Sequence, residues 1–183
     1  MLDNCQAYLI AKTPAHVADL RNVTQNAGFK YCLDIATAEG DVHLGARIKF
    51  FFVHFRVADS EMLSAMAAVR TSNDDNLRFS PFVLIINDCA YEDIIKYIRL
   101  GFDDVISLPE KASIIRHRLE SLLSLEQTYF ETPSYFGPDR RRMELVPVRD
   151  NRRRPEGGQH IRYRIRRDSV QGVRIIQQLL MAA

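Results

Sequence analysis

The sequence predicts an α/β protein: a doubly wound parallel sheet of five strands alternating with helices, followed by a short arginine-rich extension. Three observations lead there. Residues 80–109, SPFVLIINDCAYEDIIKYIRLGFDDVISLP, read as strand, helix, strand. Their first apolar run, Phe82 to Ile86, has no polar alternation, as in a strand covered on both faces. Upstream, three more apolar runs are separated by helix-period segments, which is the pattern of successive βαβ units. After Leu125 the composition changes: residues 1–130 hold 13 Lys+Arg against 17 Asp+Glu, whereas residues 131–183 hold 12 Arg, no Lys and 6 Asp+Glu. A charge split of that kind separates two roles.

In order, residues 6–11 (QAYLIA) form the first strand. Thr13-Pro14 supplies an N-cap and a proline at the first helical position, and Gly28 ends that helix after the stripe Val17, Leu20, Thr24, Ala27. Residues 31–36 (YCLDIA) are the second strand. Residues 37–48 are read as a short helix, weakened by Gly40 and Gly45. Residues 49–56 (KFFFVHFR) are a third strand, and residues 59–70 a helix with Met62, Met66 and Val69 inward. Residues 71–80 are a polar loop. In the 80–109 stretch, Asp88 marks the next helix start. Tyr91, Ile94, Ile95 and Ile98 give its apolar face, Gly101 its C-cap, and Val105-Ile106 the fifth strand. Residues 110–127 close the unit as a helix with Ile115, Leu119 and Leu122 inward.

The segment LGFDDVISLP (100–109) resembles the Ala-Gly-Ala-Asp-Asp-Tyr-Leu-x-Lys-Pro segment of response-regulator receiver domains, and FFVHFR (51–56) their Leu-Val-Leu-Val-Asp-Phe-Arg. The resemblance covers about residues 4–127 and implies the flavodoxin-like (CheY-like) strand order 2-1-3-4-5. Receivers place two acids after the first strand and a phosphoacceptor aspartate after the third, which together hold Mg²⁺. A Thr or Ser and a lysine after the fourth and fifth strands bind the phosphoryl oxygens. Aligned by these anchors, the five positions fall on Ala11, Lys12, His54, Ile86 and Leu108. None keeps the required chemistry, because a hard cation wants carboxylate oxygens and Lys12 would repel it. The resemblance therefore implies a pseudo-receiver with no catalytic residues, no metal and no cofactor, which acts in signal transduction through protein contacts. The family's usual contact face, the fourth helix, fifth strand and fifth helix, implies a homodimer.

The chain divides into a receiver-like unit, residues 1–128, and an extension, residues 129–183. In the extension, residues 131–134 read as a linker and Gly137-Pro138-Asp139 as a turn presenting Arg140, Arg141 and Arg142. The run Gly-Pro-Asp-Arg-Arg resembles tails that follow receiver-like domains in alphaproteobacterial proteins. Arg152, Arg153 and Arg154 form a second cluster. HIRYRIRR (160–167) alternates, with Ile161, Tyr163 and Ile165 on one face and Arg162, Arg164 and Arg166 on the other, as a half-buried strand does. Val170, Val173, Ile176, Leu179 and Leu180 read as the stripe of a final amphipathic helix begun at Ser169. So short an extension does not bury a core alone; its strand and helix need a surface on their own receiver-like unit or on a partner. The arginines either solvate a docked arm or bind an anion: nucleic acid, a cyclic dinucleotide or an acidic protein surface. Arg149-x-x-x-Arg153 and Ser169-x-x-Gly172 resemble fragments of the PilZ cyclic-di-GMP motif. Arg167 stands where that motif has Asp or Asn, and too few residues remain for its barrel.

No apolar run reaches the length of a membrane span, and no basic region precedes the first apolar residues, so neither membrane insertion nor a signal peptide is expected. Cys5, Cys32 and Cys89 are odd in number and lack metal spacing; they read as buried or free thiols in a reducing compartment, which implies a cytoplasmic protein. No nucleophile motif or glycine-rich phosphate loop points to an enzyme.

Overall fold

The computed structural model describes residues 1–88, 90–140 and 159–181. Five parallel strands, β1 (Gln6–Ile10), β2 (Tyr31–Asp34), β3 (Lys49–His54), β4 (Phe82–Asn87) and β5 (Asp104–Leu108), form one sheet in the order β2-β1-β3-β4-β5. This is the doubly wound order expected. Helices α1 (Pro14–Ala27) and α5 (Ala112–Ser124) cover one face, and α2 (Asp59–Arg70) and α4 (Tyr91–Leu100) the other; α3 (Asp75–Arg78) is a single turn before β4. Strand residues alternate between two cores. Leu9, Phe50, Phe52, Val83, Ile85 and Ile106 pack with Leu20, Ile115 and Leu119. Phe51, Val53, Phe82, Leu84 and Val105 pack with Met62, Met66 and Ile98. Each such fully buried phenylalanine or leucine contributes about 1.5–3 kcal/mol. Phe51 stacks on Tyr8 and on Phe82, with centroids 5.1 and 4.7 Å apart, tying β1, β3 and β4 across one face.

The predicted caps are in place. Thr13 Oγ1 accepts the His16 N–H at 3.3 Å, and Gly28 and Gly101 end α1 and α4 in the left-handed region. Asp88 does not start α4. It follows β4 with φ 39°, and the helix begins at Tyr91, where the Asp93 carboxylate accepts the Ala90 N–H. The helix expected over residues 37–48 is absent. That segment is a loop that turns back on β2 through a Leu33–Gly40 bridge. Gly40 has φ 133°, and a Cβ there would lie 2.0 Å from the Cys32 carbonyl oxygen, so the glycine sets the loop path and the helix is lost.

The extension departs furthest from expectation. A second, antiparallel sheet of β6 (Gln127–Thr132), β7 (Tyr135–Pro138), β8 (His160–Asp168) and β9 (Gly172–Met181) runs in the order β7-β6-β8-β9. It begins at Gln127, inside the segment assigned to the receiver-like unit. Residues 131–134 are no linker: Thr132 pairs with Tyr135, and Pro133-Ser134 is the two-residue turn of a hairpin. The expected last helix is strand β9. Val173, Ile175 and Ile176 are β-branched, and Gly172, at φ 94°, completes the tight turn from β8. A bulge interrupts the β8–β9 ladder between Arg164 and Ile165, leaving Ile176 as the extra residue on β9. The bulge shifts the inside-outside parity midway along the strand, which makes an alternating strand resemble a helical stripe.

This sheet packs on its own chain, under the amino ends of β4 and β5. A third core joins Phe79, fully buried just before β4, to Tyr129, Tyr163 and Ile165 of the second sheet. Cys5 and Cys32 are free and buried, and burial pushes the Cys5 thiol up to about 12; Cys89 lies outside the described residues. Among the described residues no helix is long and apolar enough to cross a membrane.

Candidate functional site

The carboxyl ends of the parallel strands bring Ala11, Lys12, His54, Ile86 and Leu108 to one end of the sheet. Each is engaged in packing or pairing. Ala11 and Leu108 pack against the core under α1 and α5, and Ile86 belongs to the core on the opposite face. Lys12 Nζ lies 3.0 Å from Glu61 Oε2, strapping the end of β1 to the first turn of α2. The Ala58 N–H, and then Lys12, hold the Glu61 carboxyl below its usual range. Asp88 follows β4, with its N–H on the Leu108 carbonyl at 3.1 Å.

His54, only 5% exposed, stacks face to face on His16 with ring centroids 4.1 Å apart and planes 10° from parallel. The Thr13 cap fixes the helix turn that carries His16. His54 Nδ1 accepts the Arg56 N–H at 3.2 Å, and the buried Nδ1 of His16 has no hydrogen-bond partner among the described residues. Burial, reinforced by His16, holds His54 below the usual histidine range. Two near-parallel rings in van der Waals contact do not direct both lone pairs at one ion. Among the described residues no group of three or more His, Cys, Asp or Glu is arranged to hold a metal.

Of the nine sequence-predicted arginines, the four among the described residues, Arg140, Arg162, Arg164 and Arg166, do not form one site. Arg140 lies over the Tyr135 ring, 3.5 Å from its centroid, at the mouth of a cleft of about 650 Å³ between α2 and the β6–β7 hairpin. Arg78 lines the same cleft, 4.1 Å over Phe136 and 2.6 Å from Glu131. Arg162, Arg164 and Arg166 project from the outer face of the second sheet, as their alternation predicted. Arg141, Arg142, Arg152, Arg153 and Arg154 lie outside the described residues.

Sequence reasoning missed the most heavily engaged arginine among the described residues. Arg167 is 1% exposed, and its guanidinium is spread over four acceptors. Nε donates to the Phe79 carbonyl at 2.8 Å and Nη1 to the Leu122 carbonyl at 3.1 Å; Nη2 donates to Asp103 Oδ1 at 3.0 Å and to the Tyr129 hydroxyl at 2.5 Å. Tyr129 in turn donates to Asp103 Oδ1, and burial pushes its phenol upward. Arg70, at the end of α2, reaches Asp103 Oδ2 at 3.3 Å, the Gly101 carbonyl at 2.7 Å and the Phe136 carbonyl at 3.2 Å. Two guanidiniums thus share one buried carboxylate, and backbone carbonyls take up the excess positive charge. The cluster joins α2, β5 and the second sheet. The available signal was parity: Arg167 falls on the same side of β8 as Ile161, Tyr163 and Ile165, where a charge needs a buried partner.

No known protein family matches the chain, and no curated protein matches it. Among solved structures it is similar to the signal receiver domain of a signal transduction histidine kinase from Syntrophus aciditrophicus, at 14% identity and a TM-score of 0.40, over 63% of this chain and 86% of that one.

Proposed function

We propose that this protein is a receiver-like signalling module that acts by contact with protein partners, as a homodimer, and carries out no phosphoryl transfer and no enzymatic step. The observation that supports this reading most is the end of the parallel sheet. There Lys12 is paired with Glu61, His54 is stacked on His16, and Ala11, Ile86 and Leu108 serve the cores. No acidic pair follows β1, and a single carboxylate after β4 does not make the oxygen shell of Mg²⁺. The fold meanwhile retains α4, β5 and α5 as a face. Exposed Tyr91 and Ile114 lie on it with half-buried Ile94 and Ile95, and Arg118 grips Asp104 in a bidentate pair at 3.1 and 2.5 Å. Exposed apolar side chains beside paired charges on these elements suit a two-fold, self-complementary contact.

Two measurements test the proposal separately. Intact-mass spectrometry after incubation with acetyl phosphate and Mg²⁺ should show no adduct; a stoichiometric one, at His54 or elsewhere, would sink the phosphorylation-independent reading. Light scattering should give a dimer that Ile95→Asp with Ile114→Asp converts to monomer. A wild-type chain that stays monomeric at all concentrations would remove the homodimer.

A further inference from the structure

The outer face of the second sheet, turned away from the cores, is divided into two halves. One half is basic. Arg164 and Arg166 on β8 stand beside Gln177 and Arg174 on β9, and Arg166 lies directly opposite Arg174. Among the described residues, the carboxylate set between them is Glu126, which binds Arg164 through its Oε2 and approaches Arg166 at 3.8 Å. Asp168, at the far end, is committed to the β8–β9 turn, accepting the Val170 and Gln171 N–H groups. The other half is aromatic and apolar. Phe130 of β6 and Leu179 of β9 flank Arg162, and His160 and Met181 face each other beyond it. The Phe130 and His160 rings are 5.9 Å apart. The buried Nε of Arg162, between the halves, has no partner among the described residues.

Like charges directly opposite each other on neighbouring strands destabilise a sheet. The Arg166–Arg174 pair therefore works against folding, and such a local conflict is expected where function requires it. We propose that this face is a binding platform for single-stranded nucleic acid, with phosphates on the arginine half and an unstacked base on Phe130. The inference is independent of the dimer and phosphorylation readings above. Strand geometry spaces Arg162, Arg164 and Arg166 about 7 Å apart on one side, a regular row suited to a repeating anion. Guanidinium forks fit phosphate oxygens bidentately. The aromatic half decides between polyanions: a duplex has no free base face to offer Phe130, and an acidic peptide has no ring to stack there, whereas a single strand has both phosphate and base.

The test is fluorescence anisotropy of the full chain with a labelled oligo-uridine or oligo-thymidine, the same length as duplex, and polyglutamate as competitor. Single strands should bind, with affinity falling steeply as salt rises. R164Q with R166Q and R174Q should weaken binding about tenfold or more and flatten the log–log salt slope by about one for each phosphate no longer held. F130A should weaken single-strand binding roughly five- to a hundredfold. E126Q, which removes the competing carboxylate, should tighten it. R174Q alone should raise the melting temperature while lowering affinity, a pairing that a merely structural arginine would not give. The proposal is overturned by absence of binding at low salt, by equal affinity for duplex, by displacement with polyglutamate at equal charge, or by arginine variants that fold and bind as wild type does.

Discussion

Replacing Arg167 with methionine should unlock the second sheet from the first. Methionine keeps much of the side-chain length and apolar stem, so the loss is confined to the guanidinium. Asp103 would keep Arg70, at 3.3 Å, but lose its shorter partner at 3.0 Å. The Phe79 and Leu122 carbonyls would lose the donors that reach them at 2.8 and 3.1 Å, in a region where Phe79 and Tyr129 are fully buried. Breaking one side of a buried ion pair costs about 3–5 kcal/mol, and an orphaned buried carbonyl about 1–3 kcal/mol. These terms overlap, so about 3–5 kcal/mol is the expected total. For a chain of this size that is a fall of roughly 6–20 °C in melting temperature. Urea unfolding followed by circular dichroism measures it, and the neighbouring substitution Arg166→Met is the control. Arg166 is exposed, so its change should stay within about 0.5 kcal/mol. Asp103→Asn should also destabilise, because it leaves two guanidiniums with no carboxylate. Arg167→Met combined with Asp103→Asn should cost well under the sum of the two single changes. A loss below about 1 kcal/mol for Arg167→Met, equal effects at 166 and 167, or strict additivity would refute the claim that this cluster holds the sheets together.

Two further expectations follow from the packing. His54 is held below its unfolded value near 6.5, so the unfolded chain binds the extra proton first as pH falls; stability should drop from about pH 6.5 down to the lowered native value and level off below it, and His16→Asn should shallow that slope in urea midpoints taken between about pH 7.5 and 5. Val173→Asp should destabilise the chain, since Val173 packs against the first and third cores, whereas Leu180→Asp, at a side chain 66% exposed, should leave the melting temperature nearly unchanged; equal losses at both positions would contradict the strand assignment of β9.

The parallel sheet was legible because its signals are local and agree with one another. Apolar runs without alternation mark strands covered on both faces, as the inward and outward burial of residues 50–53 bears out. Thr13, Pro14, Gly28 and Gly101 punctuate helices through backbone chemistry that tertiary context seldom overrides. The loop before β3 reads in sequence as a short helix because its composition gives no sign that Gly40 must pass within 2.0 Å, measured from a would-be Cβ, of the Cys32 carbonyl. That constraint exists only once β2 is in place.

The second sheet was half legible for a related reason. β8 announced itself by strict alternation, but β9 carries its bulge at Ile176, and one extra residue converts a period of two into spacings that also suit a helix. The two adjacent arginines at 166 and 167 show what alternation contains beyond the strand itself. A one-residue step along β8 carries a guanidinium from the outer face, half exposed and shared with Glu126, to the inner face, where Asp103, Tyr129 and two carbonyls enclose it. Composition counts both as members of one basic tail. Parity assigns the first to solvent, and requires of the second a buried acid somewhere upstream. Sequence pattern alone does not say which acid, because Asp103 and Asp104 are adjacent and only the docked sheet chooses between them. Asp103 goes to Arg70 and Arg167, and Asp104 to Arg118 on α5.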